Sequence, residues 1–158
     1  MHPTPIHRLR TLALSNISET LPYRESFIHQ YKPSTANGLT RCVIDWIKFN
    51  GGQAERISVT GRMVDNTKVV SDVMGHRRIV GSVSYQKSSM TKGSADISAI
   101  INGRSVKIEI KIGRDRQSDA QRAYQNAVEK AGGTYLIVKT LDEFVQWWDS
   151  QVIQQKLF

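Results

Sequence analysis

Gly93-Ser94-Ala95-Asp96-Ile97-Ser98-Ala99-Ile100-Ile101-Asn102-Gly103-Arg104-Ser105-Val106-Lys107-Ile108-Glu109-Ile110-Lys111-Ile112 decides the fold. Residues 95–101 and 105–112 read as two strands, and Asn102-Gly103 between them is a strong signal for a tight hairpin turn. With the turn placed there, residues whose numbers sum to about 205 should face each other, since the ladder runs outward from a two-residue loop. Asp96 then lies opposite Glu109. Glu109 and Lys111 are two apart and share one face of their strand, while Ile108 and Ile110 turn to the other face for apolar packing.

Two carboxylates side by side across a ladder repel each other. A site that keeps them usually holds a cation, and oxygen ligands completed by water and a phosphate suit Mg²⁺ or Mn²⁺. Lys111 fits the same constellation, because an ammonium there can hold an attacking water and offset charge on a phosphorane-like transition state. The plainer reading is a surface hairpin with a cross-strand ion pair. Acid-x-Lys alone recurs in many unrelated strands; Gly-Ser-Ala-Asp at the start of the preceding strand makes the pattern more specific.

On the N-terminal side, Ser34 or Thr35 offers a helix cap, and Leu39, Val43, Ile44 and Ile47 follow at helical spacing until Asn50-Gly51-Gly52. The spacing predicts a helix over 36–49, then a strand over 53–60. Residues 61–90 hold two β-rich stretches around Gly75 and read as a long hairpin or flap. The insertion carries Arg62, Lys68, Arg77, Arg78 and Lys87 against Asp65 and Asp72, so it is either a basic arm for nucleic acid or a solvated hairpin with no such role. On the C-terminal side, a polar helix over 116–131 ends at Gly132-Gly133. The wholly apolar strand 134–138 follows, and a helix over 141–149 closes the chain. The alternation predicts an α/β fold with a mixed sheet. Residues 1–33 read as an N-terminal extension with a short helix, and 34–158 as one domain with the hairpin inserted at about 61–90.

The chain has 158 residues, and 22 Lys and Arg against 14 Asp and Glu leave a net charge of +8, which favours a polyanionic partner. Cys42 is the only cysteine, so an intramolecular disulfide is impossible and a cysteine-based zinc site is not expected. The four histidines lack ligand spacing. The apolar runs are too short to span a bilayer, and residues 1–10 have no secretory apolar core, so a cytoplasmic location is expected.

From about Asn37 to Val138 the sequence resembles the PD-(D/E)xK nuclease superfamily, in particular the virus-type replication-repair nuclease branch and related phage endonucleases and Holliday-junction-resolvase-like proteins. The likeness rests on the leading helix, the strand after Gly51-Gly52, Ala95-Asp96, Glu109-Ile110-Lys111 and Gln117-Ser118-Asp119-Ala120-Gln121. It implies a restriction-endonuclease-like core and a Mg²⁺- or Mn²⁺-dependent deoxyribonuclease, an endonuclease acting on DNA that is either nonspecific or selective for branched or junction shapes. Asp96, Glu109, Lys111 and Gln121 would be the catalytic group, and Asp96, Glu109 and Ile110 the metal site. DNA would be the partner, with Arg62, Arg77, Arg78, Arg114 and Arg116 on its backbone. A homodimer, phage recombination and the cytoplasm of a bacterial or phage-infected cell would be the setting. Ser118-x-x-Gln121 is also a capping box, and both roles are compatible. Two positions depart from the family pattern. Ala95 replaces the family proline, and the leading helix has no acid before Asp45 where many members carry a glutamate. Asn37 falls at that position, and Glu55 on the following strand is the alternative acid. A nucleic-acid-binding protein on a degenerate nuclease fold is the competing reading.

Overall fold

The computed structural model describes residues 3–19, 21–23, 26, 31–58, 61–86 and 91–155, with only the backbone of 152–155. Lys87 of the expected basic arm lies outside the described residues. In chain order the elements are α1 (Pro5–Asn16), α2 (Ala36–Phe49), β1 (Gln53–Arg56), β2 (Arg62–Asp65), β3 (Lys68–Ser71), β4 (Arg77–Val80), β5 (Val83–Gln86), β6 (Ile97–Ile101), β7 (Arg104–Ile110), α3 (Asp119–Lys130), β8 (Thr134–Val138) and α4 (Leu141–Gln155). Residues 1–57 and 93–158 form one compact unit and residues 58–92 a second.

The larger unit is built on a four-stranded mixed sheet in the order β1-β6-β7-β8. β6 pairs antiparallel with both β1 and β7, and β8 runs parallel to β7. The β6–β7 register runs from Ile97↔Ile108 to Ile101↔Arg104, the pairing that the turn position predicts. Asn102 (φ 52°) and Gly103 (φ 74°) both take positive φ, as a two-residue turn matched to the strand twist requires.

One face of the sheet is apolar: Ala54, Ile97, Ala99, Ile101, Val106, Ile108, Ile110 and Val138 are buried there. Against it α2 lays Leu39, Val43, Trp46 and Ile47, a stripe at helical spacing, and α4 adds Phe144, Val145 and Trp148. Burying each of the larger side chains contributes about 1.5–3 kcal/mol before entropy is charged. Thr35, one of the two expected caps, accepts a hydrogen bond from the Gly38 amide (3.1 Å). The segment read as an N-terminal extension carries α1, whose Leu9 and Ala13 are buried in this core. Arg8 ties α1 to α4 through a two-pronged pair with Asp149 (2.7 and 2.9 Å) and lies over the Trp46 ring.

The opposite face carries the polar residues of the same strands. Register places Glu55 beside Ser98, Ser98 beside Lys107, and Lys107 beside Tyr135. α3 lies on this side against β8, with the Tyr124 ring edge-on to Tyr135 (6.3 Å between centroids). Helices therefore flank the sheet on both faces.

Several boundaries differ from the sequence reading: β6 begins at Ile97 rather than at 95 and β7 spans Arg104–Ile110 rather than 105–112, which leaves Asp96 and Lys111 just outside the strands. α3 begins at Asp119 rather than near 116, because Ser118 is its N-cap. α4 continues to Gln155 instead of stopping at 149. β1 stops at Arg56, short of the strand expected over 53–60, whose last residues Val59 and Thr60 lie outside the described set.

The smaller unit is a two-stranded ribbon. Pairing runs from Arg62↔Gln86 to Asp65↔Val83 and resumes in the same register from Lys68↔Val80 to Ser71↔Arg77, so both strand pairs belong to one long hairpin. Its tip is closed by Asp72, whose Oδ1 accepts the Met74 and His76 amides (both 2.9 Å). Among the described residues, no helix is long and apolar enough to cross a membrane.

Candidate active site

The β6–β7 ladder ends at Ile97↔Ile108, and Asp96 occupies the next position by other means. Its backbone carbonyl accepts the Ile57 amide (2.8 Å), and its Oδ2 accepts the Ile110 amide (2.9 Å). The side chain thus takes the place of a ladder partner and is fixed at the C-terminal end of β7. In an antiparallel pair the N–H and C=O of one residue point to the same neighbour, so the Ile110 carbonyl is directed to the Asp96 edge as well.

Gly93 makes this placement feasible. It has φ 83°, and a Cβ there would lie 2.5 Å from the Ala120 carbonyl group and 2.8 Å from the Gln121 amide nitrogen. The loop leading to Asp96 therefore rests backbone-to-backbone on the first turn of α3, with Ser94 and Ala95 buried. The strand-flanking Gly113 has positive φ but open space around it, so it serves only its turn. Gly93→Ala faces both the positive φ and the collision. We expect a loss of at least about 1 kcal/mol, read as a Tm lowered by a few degrees; an unchanged Tm would contradict this packing.

Glu109 is 2% exposed and is surrounded by partners. Its Oε1 faces Lys111 Nζ at 3.2 Å and accepts a hydrogen bond from Gln121 Nε2, and its Oε2 accepts one from the Tyr135 hydroxyl (3.5 Å). Burial, and then the negative charge of Asp96, push the Glu109 carboxyl above its ordinary value; Lys111 works against both. Burial and the charge of Glu109 push the Tyr135 hydroxyl up to about 12, so it serves as a donor.

Lys111 is itself buried, and its Nζ lies 3.1 Å from Asp115 Oδ2 as well as 3.2 Å from Glu109. Burial alone would lower its pKa, but the bonds to Asp115 and Glu109 outweigh it and hold the ammonium charged. Lys111 is thus clamped between two carboxylates, at the end of the strand that carries Glu109.

Gln121 fills both of its expected roles. Its amide N–H donates to Ser118 Oγ (3.3 Å), and its Oε1 accepts the Ser118 amide (2.9 Å), a complete capping box. Its Nε2 remains to donate to Glu109. The cap fixes the side-chain orientation that presents a donor, rather than an acceptor, to the carboxylate.

No protein-family model matches this chain, and no curated protein matches it. The reading of the site therefore stands on its geometry. Asp96, Glu109, Lys111 and Gln121 come together as one constellation. Asn37 does not join it: its Oδ1 accepts from Arg56 Nη2 (2.8 Å), a residue that alternates with Glu55 and so belongs to the other face of β1. Asp45, the first acid of the leading helix, accepts from the Tyr31 hydroxyl (3.0 Å) and pairs with Arg41. Glu55 shares the site's face of the sheet but is exposed, and its register neighbour is Ser98 rather than Asp96. Arg114 and Arg116 are exposed in the loop after Lys111; Arg62, Arg77 and Arg78 are exposed on the ribbon of the smaller unit.

Asp115 and Tyr135 escape the sequence reading. Asp115 sits between two arginines in an irregular loop, where the only hint is its position four residues after Lys111. Tyr135 lies in a strand that reads as uniformly apolar, and only the parallel register shows that it shares the Lys107–Glu109 face.

Among the described residues, no cluster of three or more His, Cys, Asp or Glu is poised for a metal. The donors present are the Asp96 and Glu109 carboxylates and, from Ile110, the only atom it can offer, its carbonyl oxygen. That set is hard and all-oxygen, it concentrates negative charge on a desolvated carboxylate, and it leaves positions for water and substrate oxygens. It fits Mg²⁺ or Mn²⁺ and is unsuited to zinc.

Proposed function

We propose that the protein is a metal-dependent endonuclease that hydrolyses phosphodiester bonds in DNA. The observation that carries the reading is the buried Glu109–Lys111 pair beside Asp96, at the end of two antiparallel strands. The order α2, β1, β6, β7, α3, β8, with β8 parallel to β7, agrees with a restriction-endonuclease-like core and supports the same reading. Asp96, Glu109 and the Ile110 carbonyl would hold Mg²⁺ or Mn²⁺, which supplies charge neutralisation at the scissile phosphate and a more acidic attacking water.

The chain's own residues do the positioning. Lys111 presents a fixed positive charge where water and phosphate meet, and Asp115 holds that ammonium when Glu109 is otherwise engaged. Gln121 and Tyr135 orient Glu109 by donating to its two oxygens. Because these donors and charges are in place before substrate arrives, little reorganisation is required in the transition state. We further assign a homodimeric protein acting on branched or junction DNA, in the cytoplasm of a bacterial or phage-infected cell.

Incubation with supercoiled, single-stranded and branched DNA tests the reading. Cleavage that requires Mg²⁺ or Mn²⁺ and stops with chelator is expected. DNA binding without any cleavage would instead support the degenerate binding-module reading. That second reading is favoured by the leading helix, whose Asn37 is drawn to Arg56 and whose first acid, Asp45, is engaged by Tyr31 and Arg41, so that it brings no acid to the site.

The ribbon is assigned to the DNA backbone. Its described strands expose Arg62, Lys68, Arg77 and Arg78. Replacing Arg77 and Arg78 together by Ala should weaken DNA binding and reduce its salt slope by about 0.9 for each phosphate that is no longer neutralised. An unaltered slope would make the ribbon a scaffold or a dimerisation element.

A further inference from the structure

The proposed reaction centre occupies one end of a polar strip. On the same face of β7, Lys107 precedes Glu109 by two residues, and Lys111 follows it by two. Ser98 of β6 lies beside Lys107, and Asp96, the residue just before β6, lies near Glu109. The Lys107 ammonium donates to Ser98 Oγ across the strand (2.5 Å), and among the described residues no carboxylate pairs with it. A carboxylate directly across the ladder would stabilise a lysine at such a position. Here the direct neighbour on β6 is the neutral hydroxyl of Ser98.

This part of the sheet is also partly open, with Lys107 and Ser98 half-buried. α2 packs on β1, β6 and β7 from the apolar side, and α3 packs on β8. On the polar face of β1 and β6, Glu55 and Ile100 are exposed, and Ser105 beside Ile100 is exposed too. No helix of this unit lies over them among the described residues. Two residues along one face of a strand advance roughly 7 Å, close to the spacing of consecutive phosphates on one nucleic-acid strand.

We infer that Lys107 forms a phosphate subsite one step from the reaction centre. It takes the backbone phosphate next to the scissile one, on a DNA strand laid along β7 over the open face. Ser98 holds the ammonium in place and offers its hydroxyl to the same phosphate. Glu55, two strands away and so roughly 9–10 Å distant, bounds the strip on its far side and keeps the polyanion over β7. The interaction is sequence-independent: it positions the strand and reads no base. This inference rests on the nuclease reading for its choice of ligand but not for its test.

The test is binding of a short fluorescent DNA duplex, measured by anisotropy over a range of salt concentrations with Ca²⁺ present. Lys107→Ala should weaken binding about three- to tenfold and lower the salt slope by about one. Lys107→Arg should restore most of both. Lys48→Ala, an exposed lysine on α2 at the other side of the sheet, is the control and should leave the slope unchanged. A Lys107→Ala slope equal to the parent's, or a loss matched by Lys48→Ala, overturns the subsite. If the parent never cleaves DNA but the Lys107 effect is present, the subsite stands and the nuclease reading fails. If the parent cleaves and the Lys107 slope is unaltered, the subsite alone fails.

Discussion

Lys111→Ala should slow DNA cleavage by on the order of a hundredfold or more, the typical cost of removing a preorganised charge from a reacting phosphate. Lys111 contributes no oxygen ligand, so Mn²⁺ uptake should persist in the variant. The Lys111 ammonium is already paired with Glu109 and Asp115, so its loss should cost little DNA affinity and binding should persist too. The substitution leaves Glu109 with Gln121 and Tyr135 as donors, which limits the structural damage at a buried carboxylate. Rates measured at saturating DNA and Mg²⁺, with calorimetry on the same preparation, separate the chemical role from a folding defect. A variant as fast as the parent would remove Lys111 from the mechanism.

The second large effect is expected at the carboxylates. Glu109→Ala should lose both metal and cleavage. Glu109 is so deeply enclosed that its removal leaves Lys111 with Asp115 alone and empties a packed site, which is itself destabilising. Asp96→Asn is the cleaner variant. The amide oxygen can still accept from the Ile110 amide, so the end of the sheet is kept while a negative charge is lost. Calorimetric titration with Mn²⁺ should show binding to the parent and none to Asp96→Asn, and cleavage should disappear with it. Undiminished Mn²⁺ binding would show that the ion sits elsewhere.

The sequence carries the hairpin at the heart of the site because its signals are local. Asn102-Gly103 dictates a turn that fixes the register on both sides, and that register carries Asp96 towards the end of β7, where its bond to the Ile110 amide completes the placement. Ser118 and Gln121 likewise declare the start of α3, since a capping box is defined by residues three apart. The features that sequence does not reveal depend on neighbours distant along the chain. The parallel pairing of β7 with β8, which places Tyr135 near Glu109, has no turn to announce it. Asp115 lies in an irregular loop with no periodicity to give its side chain a direction. Asn37, assigned to the site by position in the leading helix, is drawn instead to Arg56. The burial of α1 in the core is equally hard to read, because Leu9 and Ala13 make only a narrow apolar stripe in a segment rich in proline and charge.

In the proposed function the buried Glu109–Lys111 pair beside Asp96 performs metal-dependent phosphodiester hydrolysis. Nicking of supercoiled DNA by the parent and by Lys111→Ala, side by side in Mg²⁺, in Mn²⁺ and in chelator, tests it most directly. The parent should nick DNA with either ion and not in chelator, and Lys111→Ala should be slower by about a hundredfold or more. Equal rates for the two proteins, or a parent inert with both ions, would contradict it.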